Sequence, residues 1–60
     1  MIDVGDRVQV FVDEGDHVRA EKGRVIMVER SGTLVIELDE GGEVIKRKPE
    51  ACHLLSAGEP

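Results

Sequence analysis

The chain predicts an all-β fold, a small five-stranded barrel with a long first loop. Three observations predict it. Apolar residues recur with a period of two, in Val8-Gln9-Val10-Phe11-Val12 and in Leu34-Val35-Ile36-Glu37-Leu38, the spacing that puts side chains on alternate faces of a strand. Glycine-bearing turn signals, Ser31-Gly32 and Gly41-Gly42, separate the apolar runs, as expected of hairpins. A chain of 60 residues is also too short for a two-sheet sandwich of about 100.

The elements follow in order. Gly5-Asp6 is a turn pair that launches a first strand over about Arg7 to Val12, with Val8, Val10 and Val12 inward. The ten residues from Asp13 to Lys22 are polar and read as the long first loop. The second strand runs from about Arg24 to Glu29. Its near-continuous run Val25-Ile26-Met27-Val28 implies two partly covered faces or a bulge that re-aims side chains. The third strand spans about Thr33 to Leu38, with Leu34, Ile36 and Leu38 inward. The fourth spans about Glu43 to Arg47, with Val44 or Ile45 as its core residue. Pro49 cannot donate to a ladder and ends that strand. Pro49 to Cys52 is long enough for one 3-10 turn before a short fifth strand around His53 to Leu55. The barrel therefore covers residues 1–55, and residues 56–60 read as a flexible tail.

Composition narrows the function. The chain has 13 acidic and 8 basic residues, a net charge of −5. Binding to nucleic acid rests on Lys and Arg contacts to phosphate, so this balance disfavours it. Cys52 is the only cysteine, which rules out an intrachain disulfide and fits a reducing, cytoplasmic setting. Met1-Ile2-Asp3 lacks the basic start of a signal peptide, and no apolar run approaches the ~18 residues of a spanning helix. No membrane association is expected.

The scarcity of aromatics excludes more. Phe11 is the only one. Grooves that read proline-rich peptides are aromatic-lined, methyl-lysine cages need several aromatic faces, and single-stranded nucleic acids stack on aromatic platforms. One phenylalanine builds none of these. Catalysis has no support either. There is no nucleophile elbow and no phosphate-cradling glycine loop. Cys52 and His53 are adjacent in sequence, which is not how a Cys–His dyad is assembled. The barrel is expected to lack room for a pocket of ~300 Å³ or more. Asp13, Glu14, Asp16 and His17 supply too few ligands for structural zinc and lack the twelve-residue calcium-loop pattern, so no metal or cofactor is expected.

The stretch Gly5-Asp6-Arg7-Val8-Gln9-Val10 and the later Gly23-Arg24-Val25-Ile26-Met27-Val28 resemble the two halves of the motif of KOW domains, within the wider family of SH3-like barrels. Gly5, Asp6, Val8 and Val10 match the first half, and Gly23, Val25 and Val28 the second. The resemblance covers about residues 5 to 38. It implies an SH3-like barrel and, since KOW domains occur in transcription-elongation factors and ribosomal proteins, an RNA- or ribosome-associated role. The loops of RNA-binding members are rich in Lys and Gly, whereas this one carries Asp13, Glu14, Asp16 and Glu21 against Arg19 and Lys22. Gly23 itself reads as a close-approach or turn position.

The expected function is thus a non-catalytic protein-interaction or adaptor module. Its contact residues would be Arg7, Gln9, Phe11, Asp13, Glu14, Asp16 and His17, and its acidic surface would choose a basic patch on a partner. Phe11 lies on the opposite face from the valines. It packs under the first loop or caps a barrel end, or else it anchors a partner. The alternative is a nucleic-acid binder using Arg24, Arg30, Lys46, Arg47 and Lys48, set against a solvated edge strand in which charge blocks aggregation. A third reading is an accessory barrel docked on an enzyme complex, since small SH3-like subunits of redox and photosynthetic complexes have a similar strand pattern. Oligomeric state stays open, and Cys52 reads as a small buried hydrophobe.

Overall fold

The computed structural model describes residues 1–55; the tail at 56–60 lies outside the described residues. The fold is all-β. Five antiparallel strands form one sheet in the order β4-β3-β2-β1-β5, with β1 at Arg7–Asp13, β2 at Val18–Val28, β3 at Leu34–Leu38, β4 at Val44–Arg47 and β5 at His53–Leu54. A 3-10 turn, Pro49–Ala51, stands between β4 and β5, as the position of Pro49 predicts. The sheet wraps one apolar cluster, so the fold is barrel-like, with a radius of gyration of 11.0 Å.

The period of two does place the core. Val8 and Val10 from β1, Val25 from β2, and Leu34, Ile36 and Leu38 from β3 form the buried cluster, with Ile2, Ile45 and Cys52 packed against it. Between the two candidates on β4, Ile45 is the core residue, because it stands opposite Ile36, whereas Val44 is exposed. Val12 faces the same side as Val8 and Val10 but is only half-buried, since its partner across the ladder is Arg19.

The long first loop is corrected by the structure. β2 begins at Val18 and runs for eleven residues, so the connection shrinks to Glu14–His17. Asp13 to Lys22 looked like a loop because its side chains are polar. They are polar because the hairpin extends past the core, where both faces of the ladder are wet. Asp13 pairs with Val18, Val12 with Arg19 and Phe11 with Ala20. The tip closes through a bond from the Glu14 amide to the His17 carbonyl at 2.9 Å. The Gly15 amide also donates to Asp13 Oδ1 at 2.8 Å.

The apolar run on β2 is resolved by a bulge. The register with β3 shifts between Val25, opposite Ile36, and Met27, opposite Val35. An extra residue in one strand re-aims the side chains that follow it. Val25 is buried, whereas Ile26 and Met27 are both exposed. Val35 is nonetheless buried on the outer face. Met27 and Lys46 flank it in register, and Lys46 reaches across β3 to Glu29 at 2.7 Å.

Gly23 is where β2 meets both of its neighbours, with Val8 on one side and Leu38 on the other. A Cβ there would lie 2.6 Å from the Glu37 carbonyl oxygen and 2.8 Å from Ile36 Cγ2. Both contacts are shorter than packed atoms tolerate, and one is with backbone. Gly23→Ala is therefore expected to destabilise the fold by about 1–3 kcal/mol, the usual cost of overpacking a core. Urea unfolding checks this, and an unchanged midpoint would contradict the close approach.

Candidate functional site

The residues expected to contact a partner fall into two groups. At one end of the sheet Arg7 is committed. Its guanidinium grips Asp39 with two bonds of 2.6 and 2.5 Å, the planar fork geometry in which arginine binds a carboxylate most strongly. The hydrogen bond from Arg7 holds the Asp39 carboxyl below its ordinary pKa, and Asp39 raises that of Arg7 in return. The pair joins the start of β1 to the turn after β3, thirty-two positions apart in sequence. With Arg24, Glu37, Leu38 and Gly42 it lines an open depression of about 370 Å³.

At the other end stands the hairpin tip. Its acids are locally engaged. Glu14 and Glu21 both pair with Arg19, and Asp16 Oδ1 accepts from the His17 ring at 2.7 Å. Asp13 is used by the Gly15 amide. The tip therefore stays net negative, with Arg19 alone set against Asp13, Glu14, Asp16 and Glu21, although these carboxylates also accept local hydrogen bonds. Gln9 sits half-buried between them on β1, opposite Lys22 and His53.

Phe11 is 59% exposed. The expectation that it packs under the first loop fails, because that segment is paired strand and, among the described residues, no loop folds over the ring. Ala20, directly opposite, is too small to cover it. The ring stands at the rim of an open groove lined by Phe11, Arg47, Glu50, Ala51, Cys52 and His53, with a volume of about 380 Å³. A groove of this size corrects the expectation that so small a barrel has no room for one. The room comes from outside the core: the 3-10 turn carries the chain away from β1, leaving a trough between them. Cys52 is half-buried on its wall. Burial pushes its thiol pKa up, which makes it a poor nucleophile at neutral pH.

The five cations proposed for nucleic acid do not share one surface. Arg24 is opposite Arg7 on β1 and Glu37 on β3. Lys46 and Arg47 are successive strand residues and so point to opposite faces. Lys46 is already paired with Glu29. Arg47 donates to the Lys46 carbonyl at 2.8 Å and to the Phe11 carbonyl at 3.4 Å. Arg30, in the turn after β2, and Lys48, after β4, are exposed. Among the described residues no group of three His, Cys, Asp or Glu side chains is placed to hold a metal ion, and no helix is long and apolar enough to cross a membrane.

The sequence marked Phe11 but not its setting. The groove depends on Arg47, Ala51 and Cys52, which reach Phe11 only through the topology that brings the end of β4 and the 3-10 turn beside β1. No family model, curated protein or solved structure matches this chain.

The Arg7–Asp39 pair gives a pH signature. A carboxyl whose folded pKa is depressed contributes stability above its unfolded pKa, near 3.9 for Asp, and loses it as pH falls through the folded value. Asp39→Asn should therefore flatten part of the loss of stability below about pH 4. Thermal melts of both proteins from pH 7 to pH 2 check this, and parallel curves would show that the pair carries no linkage.

Proposed function

We propose that this chain is a non-catalytic protein-interaction module that engages its partner around Phe11. The observation that carries the reading is the exposure of the one aromatic ring on a paired strand beside an open groove. A large apolar side chain left in water gains about 1.5–3 kcal/mol when a partner covers it. Aromatic anchors beside pockets are the usual hot spots of interfaces. Holding Phe11 on a strand rather than a loop means that little order remains to be imposed on binding.

The acidic residues of the hairpin tip serve this function less directly than their number implies. Asp13, Glu14 and Asp16 are engaged by their own neighbours, so their part is long-range steering, which weakens with salt. The accessory-barrel reading finds support in a separate place. The bulge turns both Ile26 and Met27 outward, and Val44, across β3 on β4, is exposed on the same face of the sheet, which gives that face apolar residues for docking on a larger protein. The nucleic-acid reading is supported less. Of its five cations only Arg30, Arg47 and Lys48 have no carboxylate partner among the described ion pairs and lie away from the Arg7–Asp39 pair.

Phe11→Ala tests the proposal. The ring is exposed, so the substitution should shift unfolding by no more than about 0.5 kcal/mol. It should abolish recovery of a specific protein in affinity purification from the source cell. Recovery of the same proteins by wild type and variant would sink the reading, and so would a large loss of stability in the variant.

A further inference from the structure

β1 is seven residues long, yet β5 covers only the pairs Val8–Leu54 and Gln9–His53. Continuing that register would set Ala51 opposite Phe11. Instead Ala51 belongs to the 3-10 turn, with its amide bonded to the Lys48 carbonyl and that of Cys52 to the Pro49 carbonyl. In an antiparallel ladder alternate residues direct both their N–H and C=O to the same neighbour. The Asp6 carbonyl accepts from Val25 on β2, and the Arg7 carbonyl accepts from Leu55 on the β5 side. Phe11 and Asp13 share the parity of Arg7. Their amides and carbonyls therefore aim at the side of β1 where β5 is missing, the side on which the groove borders Phe11.

The groove is lined by one arginine, Arg47, and one carboxylate, Glu50. Arg47 lies on its wall and is held only by backbone carbonyls. Among the described residues Arg7, Arg19 and Lys46 each have a carboxylate partner and Arg47 has none. His53 lines the same trough, and Lys48 immediately precedes the 3-10 turn. Arg47 stands opposite the inward-facing Leu34, whereas Phe11 points outward. The two recognition elements therefore flank an incoming strand on its two faces.

Building on the interaction-module reading, we propose that the groove takes an extended segment of a partner protein, added as a strand to β1 in line with β5. The segment alternates apolar residues, which cover Phe11, with acidic ones, which reach Arg47. Backbone bonds to Phe11 and Asp13 give affinity, and the alternation gives specificity, as in other cases of strand addition. Arginine and a carboxylate form the strong, bidentate kind of charged hydrogen bond.

A random linear heptapeptide library selected on the folded chain tests this. The enriched sequences should alternate apolar and acidic residues. A synthetic peptide of the enriched sequence should shift the amide resonances of Phe11, Asp13, Ala51 and His53. Methylating alternate peptide nitrogens should abolish binding, while methylating the intervening ones should spare it. Arg47→Gln should weaken binding about tenfold, the loss of one charged hydrogen-bonding partner, with folding verified by melting; Arg47→Met is the second variant should the first fail to fold. Enrichment of basic peptides overturns the proposal, as does a footprint on Ile26, Met27 and Val44, insensitivity to methylation, or the absence of any enriched peptide. None of these outcomes touches the module reading, which is decided by Phe11→Ala and the native partner.

Discussion

The missing side chain at Gly23 is the constraint on which the rest of the barrel depends. β2 is the longest strand and contributes partners to both β1 and β3. At Gly23 it faces Val8 and Leu38 at once, and the space a Cβ would need is taken by the Glu37 carbonyl and by Ile36. Ile36 and Val8 are fully buried, so neither can yield without opening the core. A 60-residue chain buries only about 60% of the surface its unfolded form exposes and has no disulfide to compensate. Close backbone approach at one glycine is how it brings three strands near enough to dry a handful of valine, leucine and isoleucine side chains.

This explains which parts of the fold were legible in the sequence. On β1 and β3, which border the dry interior without a bulge, the alternation is clean, and Val8, Val10, Leu34, Ile36 and Leu38 are readable by spacing alone. The first half of β2 is not readable. There the inward positions are Glu21 and Arg19, opposite Val10 and Val12, and they satisfy each other as an ion pair. A strand that carries charge on its inward face mimics a loop in every local respect. Only pairing with β1, which is a non-local fact, makes it a strand. Val35 shows the converse. Its burial on the outer face comes from Met27 and from the Lys46–Glu29 bridge, neither of which spacing reveals.

The candidate site was legible in its residue and not in its setting. A lone phenylalanine on the polar side of a valine strand announces itself by period. Whether something covers it depends on the path of the chain forty residues later. Pro49 settles that path. It ends β4, opens the 3-10 turn and delays β5, so that the chain rejoins β1 only at Gln9. The Arg7–Asp39 clasp was equally hidden, since nothing local connects positions so far apart.

An uncovered length of β1 is a hazard as well as an opportunity, because unpaired strand edges recruit other strands indiscriminately. The residues around this edge restrain that. Asp13 and Glu14 put acidic groups at its end, and a second copy of the chain would have to bring its own net charge of −5 against them. Arg47 crosses from β4 to the Phe11 carbonyl at 3.4 Å, a length at which the bond is weak. It therefore shields the edge without closing it. A strand that offers Arg47 a carboxylate gives the guanidinium a stronger partner than that carbonyl. An uncharged strand must displace Arg47 with nothing in return, and a basic one is repelled by it. On the proposed strand addition, the guard that keeps the edge from pairing at random would thus also be the element that selects what pairs with it.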